Sequence, residues 1–298
     1  MKKYVCIDIG GTAIKYGIVD ENGNMLERGK ENTRACLGGS AIVKRAVELV
    51  KHYQREYILS GICISTAGMV DCERGEVIHS SSLIPEYTGT QWKKEMEGIF
   101  HLPCEVENDV NCAGLAESIS GAAKGSKVTL CLTIGTGIGG CILIGHRVFH
   151  GFSNSACEVG YMWMGDQEFQ DMGAASRLCK TVAQRKNESV DLWDGFRIFQ
   201  EAKAQDAICM QAIEEMTDVL GRGIANICYV LNPQMVVLGG GVMEQEAYLK
   251  PMIRKSLDRY LIPHIAKKTE LAMAEHKNDA GMIGAFYHFL ICQGKKPW

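Results

Sequence analysis

No run of apolar residues in the 298-residue sequence reaches the ~18–20 needed to cross a bilayer. Met1 leads through Lys2 and Lys3 straight into YVCIDIGG, which is no signal-peptide core. No membrane partner is expected, and the chain is expected to be cytoplasmic. Excess charge of either sign is missing too: 32 Lys and Arg stand against 35 Asp and Glu, a formal net charge of −3. That balance gives no electrostatic reason to expect nucleic acid. Cys-x-x-Cys pairs and zinc-type spacings are absent although the chain has 13 cysteines. Spread singly from Cys6 to Cys292, they read as reduced, mostly buried small hydrophobes. The partners left are small molecules or other subunits.

The length permits two ordinary domains or one large α/β domain, and the order of elements has to decide. YVCIDIGGTAIKYGIVDENGNMLERGK reads as a meander of three strands, turning at Gly10-Gly11 and again at Glu21-Asn22-Gly23-Asn24. Ile42, Val43, Ala46, Val47, Leu49, Val50 and Tyr53 then recur at helical spacing behind Ser40, and YILSGICIS follows as a buried strand. The same order returns in VTLCLTIGTGIGGCILIGHRVF, where Gly135 stands as Gly10 did. A long apolar helix over 206–230, a strand MVVLGGG and a helix over about 243–261 come next. NDAGMIGAFYHFLI is a last helix, started by Asp279. Two similar halves, each a strand meander feeding into helices, predict two α/β lobes with a cleft between them.

Four stretches carry residues suited to chemistry. In IDIGGT, glycines at the end of a strand let backbone N–H groups converge on an anion, and Asp8 could hold a hydrated Mg²⁺. A plain hairpin turn is an equally common use of that pattern. No Gly-x-x-x-x-Gly-Lys-Ser/Thr occurs. Gly135-x-Gly137-x-x-Gly140 matches the dinucleotide fingerprint formally, with Glu158 at roughly the distance of the ribose acid, yet GCILIG continues as a strand. Without the helix that should meet a pyrophosphate, this turn reads as a second phosphate hairpin, with Thr133 and Thr136 as hydroxyl donors. In VVLGGGVMEQE, Gly240 and Gly241 could let a base or ribose approach the backbone, or simply form a tight turn.

The fourth stretch is VENDVNCAGLAE. An aspartate at the N-terminus of the following helix is favoured in its ionised form by the dipole. Asp109 could then take a proton from a hydroxyl nucleophile, while Asn108 bonds a neighbouring hydroxyl. An ordinary N-cap is the competing reading, and the position between two phosphate-type turns favours the functional one. Glu158, close to Gly160 and Tyr161, suits polyol binding, although a solvated loop glutamate is commoner. His146 and His150 read as structural or surface residues, since no two histidines have helical metal-ligand spacing.

Together these residues resemble the ROK family of sugar kinases, relatives of actin and hexokinase, over nearly the whole chain. DIGGTAIKYG, containing Asp8, Gly10, Gly11, Thr12 and Lys15, is similar to the family's first phosphate loop; LTIGTGIGG is similar to its second, and LGGGV to its adenosine loop. ENDVNCAGLAE matches the catalytic segment, which implies Asp109 as general base and Asn108 as a sugar ligand. STAGMVD resembles the loop that sets a glycine, here Gly68, against the sugar. ACEVGYM is similar to the Gly-Glu-x-Gly-His segment and carries sugar contact onto Glu158 and Gly160. Tyr161 stands where most of the family has histidine, and residues 160–178 lack the three cysteines of the family's zinc loop. No zinc is therefore expected, and Trp163 and Phe169 are expected to pack that loop instead. Asp171 is the match to a further sugar-binding glutamate.

The resemblance implies a two-lobed actin-like ATPase fold of duplicated RNase H-like domains. One would span 1–118 with the helix at about 279–298 packing back on it, and the other 119–278. It implies ATP and Mg²⁺ as cofactors, a sugar phosphorylated at its 6-hydroxyl and a homodimer. Zinc-less members include kinases for N-acetylmannosamine and for β-glucosides, and glucose is a third candidate. A sugar-sensing regulator is the alternative, although a DNA-binding helix-turn-helix ahead of the first loop would find no room before Asp8.

Overall fold

Apolar side chains on both faces of a strand mark a strand covered from both sides, and Val5, Cys6, Ile7 and Ile9 are fully buried. They belong to β1 (Lys3–Ile9), which with β2 (Ala13–Asp20) and β3 (Met25–Asn32) forms the antiparallel meander expected from the turn residues. The computed structural model describes residues 1–298. After the meander come α1 (Gly39–Glu56), β4 (Leu59–Thr66), a small hairpin of β5 (Met69–Asp71) and β6 (Glu76–His79), then α2 (Trp92–Phe100), β7 (Cys104–Asn108) and α3 (Asp109–Ser120). The pattern restarts with β8 (Val128–Ile134), β9 (Ile138–Ile144) and β10 (Arg147–Val148). Helices α4 (Phe169–Gly173), α5 (Ala175–Lys186), α6 (Gly195–Lys203) and α7 (Ala207–Leu231) follow, then β11 (Met235–Gly239), α8 (Glu246–Tyr260), α9 (Pro263–Ala266) and β12 (Glu270–Met273). The chain closes with α10 (Ala280–Cys292).

These elements form two compact units. One contains Met1–Ser120, His150–Ala156 and Asn278–Trp298; the other contains Gly121–Phe149 and Cys157–Lys277. Each has a five-stranded sheet, ordered β3-β2-β1-β4-β7 in the first and β10-β9-β8-β11-β12 in the second. In both, the first three strands pair antiparallel and the last two add parallel, so order and sense repeat. Helix α10 is apolar all round, and every residue from Ala280 to Leu290 is buried. It packs within the first unit on α3, β4 and β1. Gly284 makes its approach to α3 possible, because a Cβ there would lie 1.8 Å from the Cys112 carbonyl oxygen.

Two helix starts differ from expectation. Ser40 lies inside α1, whose cap is Gly38 at φ 81°, and the Gly39 N–H is satisfied by the Pro85 carbonyl at 2.9 Å. A backbone acceptor from a distant loop has replaced a side-chain cap. Asp279 does precede α10, but its carboxylate takes Arg28 Nε and Nη2, both at 2.9 Å, and caps nothing. The helix expected over about 243–261 divides into a 3₁₀ turn, Gly241–Glu244, and α8. All 13 cysteines are free thiols; Cys36 and Cys292 are exposed, while Cys6, Cys63, Cys104, Cys112, Cys131, Cys141, Cys209 and Cys228 are buried. No helix is long and apolar enough to cross a membrane.

Candidate active site

Sheet register assembles the surroundings of Asp8. Its neighbour on β4 is Ser65 and on β2 is Lys15, so both side chains reach it from adjacent strands. Ser65 Oγ donates to Asp8 Oδ1 at 2.6 Å, and Lys15 Nζ lies 3.5 Å from Oδ2. Burial pushes the Asp8 carboxyl above its usual range against the pull of Lys15 and Ser65. Room for it depends on the first turn of α10, where a Cβ on Gly281 would sit 2.4 Å from the carboxyl. Just beyond β1 the chain turns at Gly10, whose N–H donates to Ala13 O and whose carbonyl accepts from Thr33 Oγ1 at 2.6 Å. Gly11 and Thr12 are left exposed at the tip. Carboxylate oxygens are hard ligands suited to Mg²⁺, so Asp8 is the residue fitted to hold one.

The β7–α3 junction holds the second acid, and there the cap is Asn108. Its Oδ1 accepts the N–H groups of Val110 at 2.9 Å and Asn111 at 3.0 Å, while Nδ2 donates to the Gly68 carbonyl and to Asp109 Oδ1. Gly68 has φ +100°, and a Cβ on it would meet the His79 carbonyl at 2.8 Å. Asp109 opens α3, and its Oδ1 accepts the Val110 N–H at 3.0 Å. The dipole was expected to keep this carboxyl ionised. Instead desolvation, reinforced by the like charge of Asp8, raises it to about 7 against its hydrogen bonds.

Glu107 is wholly buried one residue earlier. Its Oε1 accepts the Asn108 N–H at 2.8 Å and Asn111 Nδ2 at 3.0 Å, and its Oε2 accepts His150 Nε2 at 2.6 Å. Burial alone would raise this carboxyl; the bond from His150 and the neighbouring imidazoles outweigh it and hold it at about 2. Cys72, Glu107 and His288 place a thiol, a carboxylate and an imidazole within 4.8 Å of one another. Because N–H donors already occupy both oxygens of Glu107, we read these three as a hydrogen-bonded cluster and not as metal ligands.

In the second unit the β8–β9 hairpin closes with Gly135 N–H donating to Gly137 O at 2.9 Å. Ser176 braces it, donating its hydroxyl to Thr136 O at 2.6 Å and its N–H to Gly135 O. Thr133, next to last in β8, lies opposite Gly139 on one side and Gly239 on the other. Gly240 has φ +103°, and its Cβ would fall 2.2 Å from Ile134 O, which brings the β11 turn against the hairpin. Gly241 stays open beside it. Gln170 Oε1 would meet a Cβ on Gly137 at 2.8 Å and one on Gly160 at 3.0 Å. A polar cavity of about 250 Å³ lies next to this corner, lined by Gln167, Gln170, Asp171, Ser176, Arg177 and Lys180.

Glu158 is exposed at the entrance of a 3₁₀ turn, Val159–Tyr161, and Tyr161 is half exposed. Cys157 holds φ +68° where the family segment carries glycine, a backbone region costly for a side chain. The packing expected of Trp163 does not occur: it is 67% exposed, its backbone bridging Glu168. Phe169 does pack there, against Gly223, where a Cβ would lie 2.4 Å from its ring, and Met164 of the same loop is buried as well. Sequence reasoning missed Ser65, His150 and Gln170 as parts of these arrangements. Strand register could have suggested Ser65; nothing local points to the other two.

Two repeated α/β sheets, each turning at glycines after its first strand, define the actin-like ATPase fold. A family model described as the ROK family matches residues 4–291, and the chain belongs to that family. It is 33% identical to a beta-glucoside kinase of Klebsiella pneumoniae, covering 96% of each chain. Among solved structures, a ROK family glucokinase from Streptomyces griseus in complex with glucose and AMPPNP superposes with a TM-score of 0.82 at 29% identity, over 95% of this chain and 97% of that one. A ROK family protein from Streptococcus pneumoniae in complex with sucrose gives 0.86 at 27% identity, over 98% and 99%.

Proposed function

We propose that the chain is an ATP-dependent kinase that phosphorylates a hexose or hexose derivative at its 6-hydroxyl, with glucose, N-acetylmannosamine or a β-glucoside as the sugar. The observation that carries this reading is Asp109: a carboxyl poised near 7 at the mouth of α3, beside Asn108 and electrostatically linked to Asp8. The names of the relatives, glucokinase and beta-glucoside kinase, agree with it.

Asp109 takes the proton as the sugar oxygen attacks the γ-phosphorus; the new O–P bond forms while the bond to the β-phosphate oxygen breaks and ADP leaves. Asn108, Gly68, Glu158, Gly160, Tyr161 and Asp171 contact the sugar. The phosphates lie along the amides of Gly10, Gly11, Thr12, Gly135 and Gly137, with Lys15, Thr133 and Thr136 as side-chain donors. Gly240 and Gly241 lie against the nucleoside. Asp8 would hold Mg²⁺ through water, and the ion would supply positive charge to offset the charge that develops on the phosphates. An ionised carboxylate is the active base, so kcat/KM measured against MgATP should climb about tenfold per pH unit up to about pH 7 and climb no further above it. A rate flat from pH 5 to 8 would remove Asp109 from this role.

ADP release from MgATP by purified protein, with glucose, N-acetylmannosamine, N-acetylglucosamine, mannose, fructose and cellobiose offered in turn, tests the reading. Sugar-dependent release is expected, and the ratio of kcat/KM values identifies the substrate. Silence across the panel with sugar binding intact by calorimetry would favour a sugar-sensing regulator.

A further inference from the structure

The one imidazole in short contact with Glu107 comes from outside the strand and helix that the glutamate joins. His150 begins the His150–Ala156 segment, which packs with the first unit, and its Nε2 reaches Glu107 Oε2 at 2.6 Å. The other oxygen of Glu107 ties the end of β7 to the first turn of α3 through Asn108 N–H and Asn111 Nδ2. A wholly buried carboxylate keeps its charge only beside a cation and a full set of donors. His288 makes no hydrogen bond to that carboxylate: its Nδ1 stands off at 3.6 Å, and burial holds its imidazole below the ordinary histidine range.

We propose that His150, as an imidazolium bonded to Glu107, is a positioning residue for the phosphoryl transfer: it locks the junction from which Asp109 projects. The inference rests on Asp109 being the base. Removing the imidazolium leaves Glu107 to take up a proton or turn away, and either change releases Asn111 and the Asn108 amide. The junction then loses the geometry that aims Asp109.

Titration supplies a signature that plain packing lacks. The bond to Glu107 raises the affinity of His150 for its proton above the ordinary value. Its lock is therefore complete at lower pH and is lost as pH rises through the raised value. The groups facing the pair are Cys72, whose Sγ is 3.7 Å from His150 Nε2, and His288 of α10; Glu105, Lys93 and Cys292 surround His288 in turn. Burial pushes both thiols up, Cys292 to about 12, so neither supplies a charge near neutrality.

The test compares wild type, His150→Gln, His150→Phe and His150→Phe with Glu107→Gln. His150→Phe should lower kcat about tenfold or more with KM for ATP changed less than about twofold, and amide hydrogen exchange at Asn108, Val110 and Asn111 should quicken about tenfold. His150→Gln, which keeps a donor without a titrating charge, should retain most of kcat and lose the alkaline fall of the wild-type profile. The double variant should recover part of the loss, because no unpaired charge remains. Unchanged exchange at those three amides in His150→Phe, or an alkaline limb that survives in His150→Gln, would overturn the inference. Wild-type ADP release tests the kinase reading separately, and the exchange measurement decides the lock even where turnover is absent.

Discussion

Asp109→Asn is expected to lower kcat by ~10² or more while sugar binding survives. The amide keeps the size of the side chain and can still accept the Val110 N–H now received by Oδ1 at 3.0 Å, so the start of α3 need not move. What disappears is a proton acceptor. The same substitution should make the protein more stable at pH 8. A carboxyl raised to about 7 in the fold and near 3.8 in the unfolded chain favours folding when protonated, and that contribution is lost as pH rises through the folded value. An amide never incurs the charged state. Thermal unfolding at pH 5 and pH 8 would show a larger gain at the higher pH, and wild-type-like turnover in the variant would end the assignment of Asp109 as base.

Gly284→Ala should cost about 2–3 kcal/mol, measured as a lower urea midpoint at unchanged slope. The added methyl would meet Cys112 O at 1.8 Å and its carbonyl carbon at 2.3 Å, backbone atoms with no rotamer to change. Helix α10 would have to move off α3, and the consequences reach the site from both sides: α3 begins with Asp109, and the first turn of α10 leaves space for Asp8 through Gly281. Turnover should therefore fall along with stability. Gly98→Ala is the control. Gly98 lies inside α2 with nothing within 4 Å of its Cβ, so alanine there should stabilise by roughly 0.5–1 kcal/mol through the unfolded chain.

Much of the fold is legible in short stretches because its causes are short-range. The run from Tyr4 to Ile9, the turn at Glu21-Asn22-Gly23-Asn24 and the spacing from Ile42 to Tyr53 report strand, turn and helix through neighbours a few residues away. The recurrence of Gly10 as Gly135 marks the duplication, which the two sheets express as one strand order. Long-range competition accounts for the misses. Arg28 claims the Asp279 carboxylate, the Pro85 carbonyl satisfies α1 and displaces Ser40 as cap, and of the two aromatics expected to pack the loop only Phe169 is buried.

The candidate site divides along the same line. That Asp8, Asn108 and Asp109 carry side chains able to bind a cation, a hydroxyl and a proton follows from the residue types and the glycines beside them. Their states follow from tertiary structure alone. Asp109 sits near 7 because the fold removes water from it and sets Asp8 close by, and Asn108 becomes the cap because its amide finds the Gly68 carbonyl. Glu107 stays charged because His150, 43 residues further along, returns to it. The sequence by itself determined the strand and helix periods, the glycine turns and the ligand chemistry, since each depends on near neighbours. Burial, register and long-range pairing decided which carboxyl is charged, which is held and which can act as a base, since desolvation and Coulomb energies depend on groups far apart in the chain.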